Sequence, residues 1–312
     1  MLQYLIILLD DTSVSYCHYE NPRVERKLIS LENLKAGILF GMKENLMIQF
    51  VYPDYELPIE YQRTIETIDH SKIMPSSKAE GADVVIFSSW DCMVNSLFKE
   101  ETAYVLRTSK QELFENYTLL DKKIDKYRLN IAITDIDSFT EADFDQYKVI
   151  LSELAETIKS AYGNRKAPQI NILTDRMMLD KMNNCNAGWE NITLAPDGLF
   201  YICPAFYFDK KSCSVGNLSD KLQIKNPQLY KLSYAPLCRK CDAYQCKRCI
   251  WLNWKTTLEV NTPSHEQCVV AHLERNASRE LLNEIRTLGT FLPEKEIKEV
   301  YYLDPIDIKD EL

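Results

Sequence analysis

Apolar and polar positions follow two rhythms along this chain. Short apolar runs at Leu2 to Leu9, Leu46 to Tyr52, Ala82 to Ser88, Leu129 to Thr134 and Gln169 to Leu173 predict buried strands. Helical spacing falls between them. Leu31 to Glu44 predicts one helix. Phe144, Tyr147, Leu151, Leu154 and Ile158, three and four residues apart, predict the clearest one, with Ser138 and Glu141 at capping-box spacing ahead of it. Strands separated by helices imply a mainly parallel sheet. About 180 residues falls short of the ~250 typical of an eightfold barrel. The expected fold class is therefore α/β, an open sheet or partial (β/α) barrel-like scaffold of mainly parallel strands.

The pattern changes after Leu173. Asn191 to Leu194, the turn Ala195-Pro196-Asp197-Gly198 and Leu199 to Cys203 predict a β-hairpin, because Pro-Asp-Gly presets the turn. The stretch to Cys268 is loop-rich, and Ala271 to Leu288 predicts a helix with a partial apolar face from Leu273, Leu281, Leu282 and Ile285. This suggests a scaffold over residues 1–180, a small Cys-rich domain over 181–272, and a C-terminal helix with an acidic tail over 273–312.

Composition narrows the function. The 312 residues are 46% hydrophobic and 27% charged, which excludes disorder and collagen. With 37 Lys plus Arg against 46 Asp plus Glu, the net charge is −9, and no basic run offers a nucleic-acid footprint. Leu5 to Leu9 is too short to span a membrane, which takes about 20 apolar residues, and no basic segment precedes it as in a secretory signal. Lys309-Asp310-Glu311-Leu312 spells an endoplasmic-reticulum retention signal, which means nothing on a chain outside the secretory path. A cytoplasmic protein with no membrane and no nucleic-acid partner is expected.

Eight of the ten cysteines lie between Cys185 and Cys268. Their order is Cys185-x12-Gly198-x4-Cys203, then Cys213, then Cys238-x2-Cys241-x4-Cys246-x2-Cys249, and last Cys268. A two-residue gap lets both thiolates of a pair face one metal centre. Arg239, Lys240, Lys247 and Arg248 sit between the sulfurs, where positive charge favours thiolate. Eight thiols equal two four-sulfur sites. A disulfide framework suits a secreted chain, and spacing alone leaves zinc and iron–sulfur about equal.

This order closely resembles the SPASM domain, the C-terminal extension of radical S-adenosylmethionine enzymes that mature ribosomally made peptides, across residues 181–272. The family pattern has five and three residues where this chain has four and two. The resemblance implies that Cys185, Cys203 and Cys249 hold one auxiliary iron–sulfur cluster with Cys213 a candidate fourth ligand. It implies that Cys238, Cys241, Cys246 and Cys268 hold a second.

The front half departs from that family. A radical enzyme needs C-x3-C-x2-C on the loop after its first strand, and the matching loop here runs Asp10 to Tyr19 with Cys17 its one thiol. Cys17 as third ligand leaves Asp10 and Val14 at the other two positions; as second, it leaves Ser13 and Glu20. No glycine occurs from Met42 to Glu80, where the family approaches S-adenosylmethionine with a glycine-rich turn. Residues 1–180 thus read as a degenerate radical-enzyme scaffold without a catalytic cluster and without S-adenosylmethionine. The opening Tyr4 to Tyr19 with the late cysteine array looks like the CXXX repeat peptide maturase family, whose members are associated with an active radical enzyme and a precursor carrying repeated cysteines.

Several other residues admit more than one reading. His265 and His272 stand near Cys268 as ligands, or as surface histidines or supports to the ligands. Cys17 beside His18 reads as a catalytic thiol or as a relic buried at a strand end, and Cys92 beside Trp90 as core. Asp10, Asp11, Asp135 and Asp137 fit strand ends where α/β sheets place ligands, or solvated loops. Trp251 and Trp254 fit a shield over the metal site, and Glu294 to Leu312 a solvated tail or a docking strip. The expected function is an accessory maturase with two [4Fe–4S] clusters, used for electron transfer or peptide docking. Its expected partners are a Cys-repeat precursor peptide and a catalytically complete radical enzyme. The alternative is a structural zinc module for protein recognition.

Overall fold

The computed structural model describes residues 2–99, 101–123, 128–209, 214–220 and 222–288. Its strands are β1 (Tyr4–Leu8), β2 (Met47–Val51), β3 (Ser71–Pro75), β4 (Val84–Phe87), β5 (Ala103–Thr108), β6 (Arg128–Ile133), β7 (Gln169–Ile170), β8 (Asn191–Leu194) and β9 (Phe200–Tyr201). The first five helices are α1 (Leu31–Lys43), α2 (Ile59–Ile65), α3 (Trp90–Asn95), α4 (Lys110–Asn116) and α5 (Glu141–Gly163). Then come α6 (Asn171–Met178), α7 (Pro204–Phe208), α8 (Ile250–Thr257) and α9 (His265–Leu288). The chain divides into two compact units, residues 1–88 with 185–234, and residues 89–184 with 235–312. The tail from Glu294 to Leu312, with its terminal Lys-Asp-Glu-Leu, lies outside the described residues.

In the first unit β1 pairs in parallel with β2 on one side, Leu5 opposite Ile48, and with β8 on the other, Leu5 opposite Ile192. Parallel pairs β2–β3 and β3–β4 extend this sheet, and the β8–β9 hairpin closes it antiparallel. Strands covered on both faces need continuous apolar runs, which is why Leu5 to Leu9 are all buried. Ser30 caps α1 by accepting from the Asn33 N–H at 3.1 Å, and Leu34 and Ile38 carry the helix onto Leu5, Ile7 and Leu194. Gly37 permits that approach: a Cβ there would stand 2.4 Å from Leu194.

In the second unit β5, β6 and β7 run parallel, Leu106 opposite Ile131 and Leu129 opposite Ile170. Helix α5 packs along α9, and α6 packs on α9 as well. The apolar set on α5 is buried at Phe144, Tyr147, Leu151, Leu154 and Ile158, as its spacing requires. Its capping box uses Thr140 and Asp143, two residues after the expected pair.

The C-terminal helix opens at His265 rather than Ala271, and three other local expectations change. Gln169 to Leu173 is a strand only to Ile170, since Asn171 stops it: its side-chain amide donates to the Ile131 carbonyl at 2.9 Å and its Oδ1 accepts the Ile131 N–H at 2.7 Å. The chain then turns into α6. Cys92 is exposed on α3 while its neighbour Trp90 is buried, donating from Nε1 to Thr108 Oγ1 at 2.9 Å. Cys17 sits half-buried at a bend of the loop after β1 rather than at a strand end.

Candidate functional site

In the first unit the loop after β1 is fastened down by its own polar groups. Asp10 is fully buried. Its Oδ1 accepts from the Thr12 N–H at 2.8 Å and the Thr12 hydroxyl at 2.6 Å, and its Oδ2 accepts from the Tyr55 hydroxyl at 2.8 Å. Ser13 Oγ donates to the Val51 carbonyl at 2.9 Å, and the Val14 N–H donates to the Tyr52 carbonyl at 3.0 Å. The loop is thus laid across the end of β2. Asp11 pairs with Arg23 at 2.9 Å and accepts from the Tyr207 hydroxyl; the Arg23 guanidinium lies 3.8 Å from the Tyr207 ring centre. A loop whose Asp10, Ser13 and Val14 are already engaged with β2 and Tyr55, and which brings one thiol, does not fit a three-thiolate cluster.

Cys17, Cys185 and Cys203 nevertheless share a neighbour. Burial, then Tyr19, Cys17, Cys203 and Cys185, push the Tyr16 phenol well above its usual range. Burial and Cys203 raise Tyr230 likewise. Cys185 is exposed, and Cys203 is half-buried at the head of α7. Sequence spacing gives no reason for Cys17 to act on the same phenol as the late Cys185 and Cys203. Cys213 lies outside the described residues.

The second unit carries Cys238, Cys241, Cys246, Cys249 and Cys268. Cys238 is buried and opens a short 3-10 turn, Cys249 caps α8, and Cys268 lies in the first turn of α9. Three sulfurs accept backbone N–H groups placed two or three residues later: Cys241 from Ala243 at 3.4 Å, Cys246 from Arg248 at 3.4 Å and Cys249 from Leu252 at 3.5 Å. His272 Nε2 stands 3.5 Å from Cys241 Sγ. Burial pushes the Cys241 and Cys246 thiols up to about 12, against the lowering by those N–H groups; Cys246 adds to the rise at Cys241, and Cys238 to that at Cys246.

The loop bearing these thiols is clamped by charges that the sequence did not single out. Arg176 on α6 donates from Nε to the Asp242 carbonyl at 3.0 Å and pairs with the Asp242 carboxylate at 2.9 Å, and Arg275 on α9 meets the other carboxylate oxygen at 3.1 Å. All three residues are less than 5% exposed. Beside them Glu274 accepts from the Tyr147 hydroxyl at 2.9 Å, and burial raises its pKa to about 7.

The remaining candidates have local employment. Asp135 accepts from the Lys110 N–H at 2.8 Å, and Asp137 pairs with Lys255 at 2.6 Å. His265 is exposed, edge-on to Phe144. Trp251 and Trp254 are half-buried on α8. Arg239 and Lys240 are exposed, whereas Arg248 is buried.

Among the described residues no three His, Cys, Asp or Glu side chains are gathered so as to hold one metal ion, and no disulfide joins the described cysteines. The all-sulfur donor set fits thiolate ligation: the N–H groups aimed at Cys241, Cys246 and Cys249 suit an anion, and the burial that outweighs them at Cys241 and Cys246 is the kind of penalty a bound cation's charge offsets. None of the described helices is long and apolar enough to cross a membrane.

No family model matches the sequence, and no curated protein matches it. Solved structures do. The chain is similar to histidine-tagged anSMEcpe with bound AdoMet at 14% identity and TM-score 0.60, over 92% of this chain and 100% of that one. It also aligns with Streptococcus suis SuiB bound to precursor peptide SuiA, at 13% identity and TM-score 0.48, over 86% of this chain and 76% of that one. The first likeness establishes a shared α/β fold.

Proposed function

We propose that this protein is a cytoplasmic accessory maturase: an α/β scaffold without radical chemistry of its own, carrying a SPASM-like thiolate array over residues 181–272 that holds two [4Fe–4S] clusters. The observation that carries this reading is the cysteine loop, where backbone N–H groups are aimed at Cys241, Cys246 and Cys249. Cys238, Cys241, Cys246 and Cys268 would hold one cluster. Cys185 and Cys203, with Cys213 as a candidate further ligand, would serve the other. A cluster spreads its thiolates over separate irons, so its ligands surround it rather than meet at a point.

When bound, such clusters supply electron transfer or an iron position for a cysteine of a precursor. The chain's own residues position the sulfurs and set their electrostatic surroundings, with Cys238 buried and Cys185 left exposed. The fold shared with an AdoMet-bound protein supports descent from a radical-enzyme scaffold. The fastened loop after β1 supports its having lost the catalytic cluster. The partners in this reading are a Cys-repeat precursor peptide and a catalytically complete radical enzyme.

Anaerobic purification followed by iron, sulfide and zinc analysis tests the reading. About eight irons per chain, for two four-iron clusters, with a visible absorption band that bleaches on dithionite, is the expected result. Two zincs without iron would instead establish a structural zinc module.

A further inference from the structure

The sulfurs of the second unit are not equivalent. Cys241 Sγ accepts from the Ala243 N–H at 3.4 Å and also faces His272 Nε2 at 3.5 Å. His272 is 6% exposed and lies on α9, whose His272 and Arg275 are three residues apart and so share one helix face. Arg275 grips Asp242, the residue after Cys241, at 3.1 Å, while Arg176 grips the same carboxylate from α6 at 2.9 Å. This clamp fixes Cys241 opposite the imidazole. Hydrogen bonds to sulfur stabilise the more negative state of an iron–sulfur centre and raise its reduction potential.

We propose that His272, with its proton on Nε2, donates a hydrogen bond to the Cys241 thiolate and thereby sets the reduction potential of the centre this loop holds. His272 is then a positioning residue outside the ligand set. Were the bound centre reduced by one electron from dithionite, the His272 N–H would bond more strongly to the Cys241 sulfur as negative charge built there. No bond to iron forms or breaks. The inference rests on the cluster reading above.

The test uses the full chain, purified anaerobically with its clusters, in a potentiometric titration with dithionite followed by electron paramagnetic resonance. His272→Leu is expected to keep its iron content and move one midpoint to a more negative potential. His272→Gln, which retains an N–H donor, is expected to recover part of that shift. Wild-type protein with 15N-labelled histidine, which needs no variant, is expected to show a weak nitrogen coupling to the reduced centre. An iron-replete chain with unmoved midpoints and no nitrogen coupling overturns the role of His272 alone. Loss of iron in His272→Leu, or a strong coupling of direct ligation, overturns it in favour of a ligand. A wild-type chain that takes up no iron removes the cluster reading and this inference together.

Discussion

Arg176 on α6 holds Asp242 of the cysteine loop by two groups at once, its Nε on the carbonyl and its Nη2 on the carboxylate. Arg275 takes the remaining carboxylate oxygen. Breaking a buried ion pair by removing one partner strands charge away from water and costs about 3–5 kcal/mol. Asp242→Ala strands two guanidinium groups and is expected to lose stability in that range, measured by urea unfolding. Exposed Lys255 meets Asp137 near the surface. Lys255→Ala is expected to cost under about 1 kcal/mol, as exposed pairs do.

Glu274 makes stability depend on pH in the direction opposite to most carboxylates. Burial raises its folded pKa to about 7, above the ordinary 4.5, outweighing the lowering by Tyr147 and Gln245. Between these values the folded chain holds a proton that the unfolded chain has released. Stability contributed by the protonated group is therefore complete below about 4.5 and falls as pH rises to about 7, by up to about 3 kcal/mol. Glu274→Gln is expected to flatten that slope in urea midpoints taken from pH 5 to 8, with the rest of the profile preserved.

Gly188 adopts φ 78°, and a Cβ there would stand 2.8 Å from the Tyr230 ring. It lies between Cys185 and β8, so the backbone leading from that cysteine into the sheet needs this residue. Gly188→Ala combines a disfavoured dihedral with an overlap and is expected to cost about 1–3 kcal/mol. Gly81 has similar φ but open space around it. Gly81→Ala is expected to show the smaller loss, which separates the two contributions in parallel unfolding curves.

What the sequence made legible followed from burial. β1 and α1 were readable because their apolar runs face a core on every turn, and the 191–203 hairpin because Pro-Asp-Gly dictates its turn. β3 is masked in the sequence because its Ser-Lys-Ile-Met-Pro run holds a lysine and ends in proline, whereas β5 does carry a strand rhythm in its buried Tyr104, Leu106 and Thr108, but Arg107 cuts short its apolar run. Gln169 to Leu173 departs from a full strand at Asn171, a polar residue that ends the strand by bonding Ile131, 40 positions earlier in the chain. The cysteines declared themselves by spacing. Their clamp did not, because Arg176, Asp242 and Arg275 read individually as surface charges and acquire meaning only when α6 and α9 bring them together.

The loop after β1 is held by a hydrogen bond that a single substitution removes. The Tyr55 hydroxyl donates to the carboxylate of fully buried Asp10, whose other carboxylate oxygen is held by Thr12. A hydrogen bond to a charged group contributes about 1.5–3 kcal/mol, so Tyr55→Phe is expected to destabilise by that amount. If the loop has given up cofactor chemistry for self-fastening, the loss is structural and leaves iron content at the wild-type level. A Tyr55→Phe chain of unchanged stability would show Asp10 already satisfied by Thr12. A drop in iron would tie this loop to metal binding after all, against its single thiol.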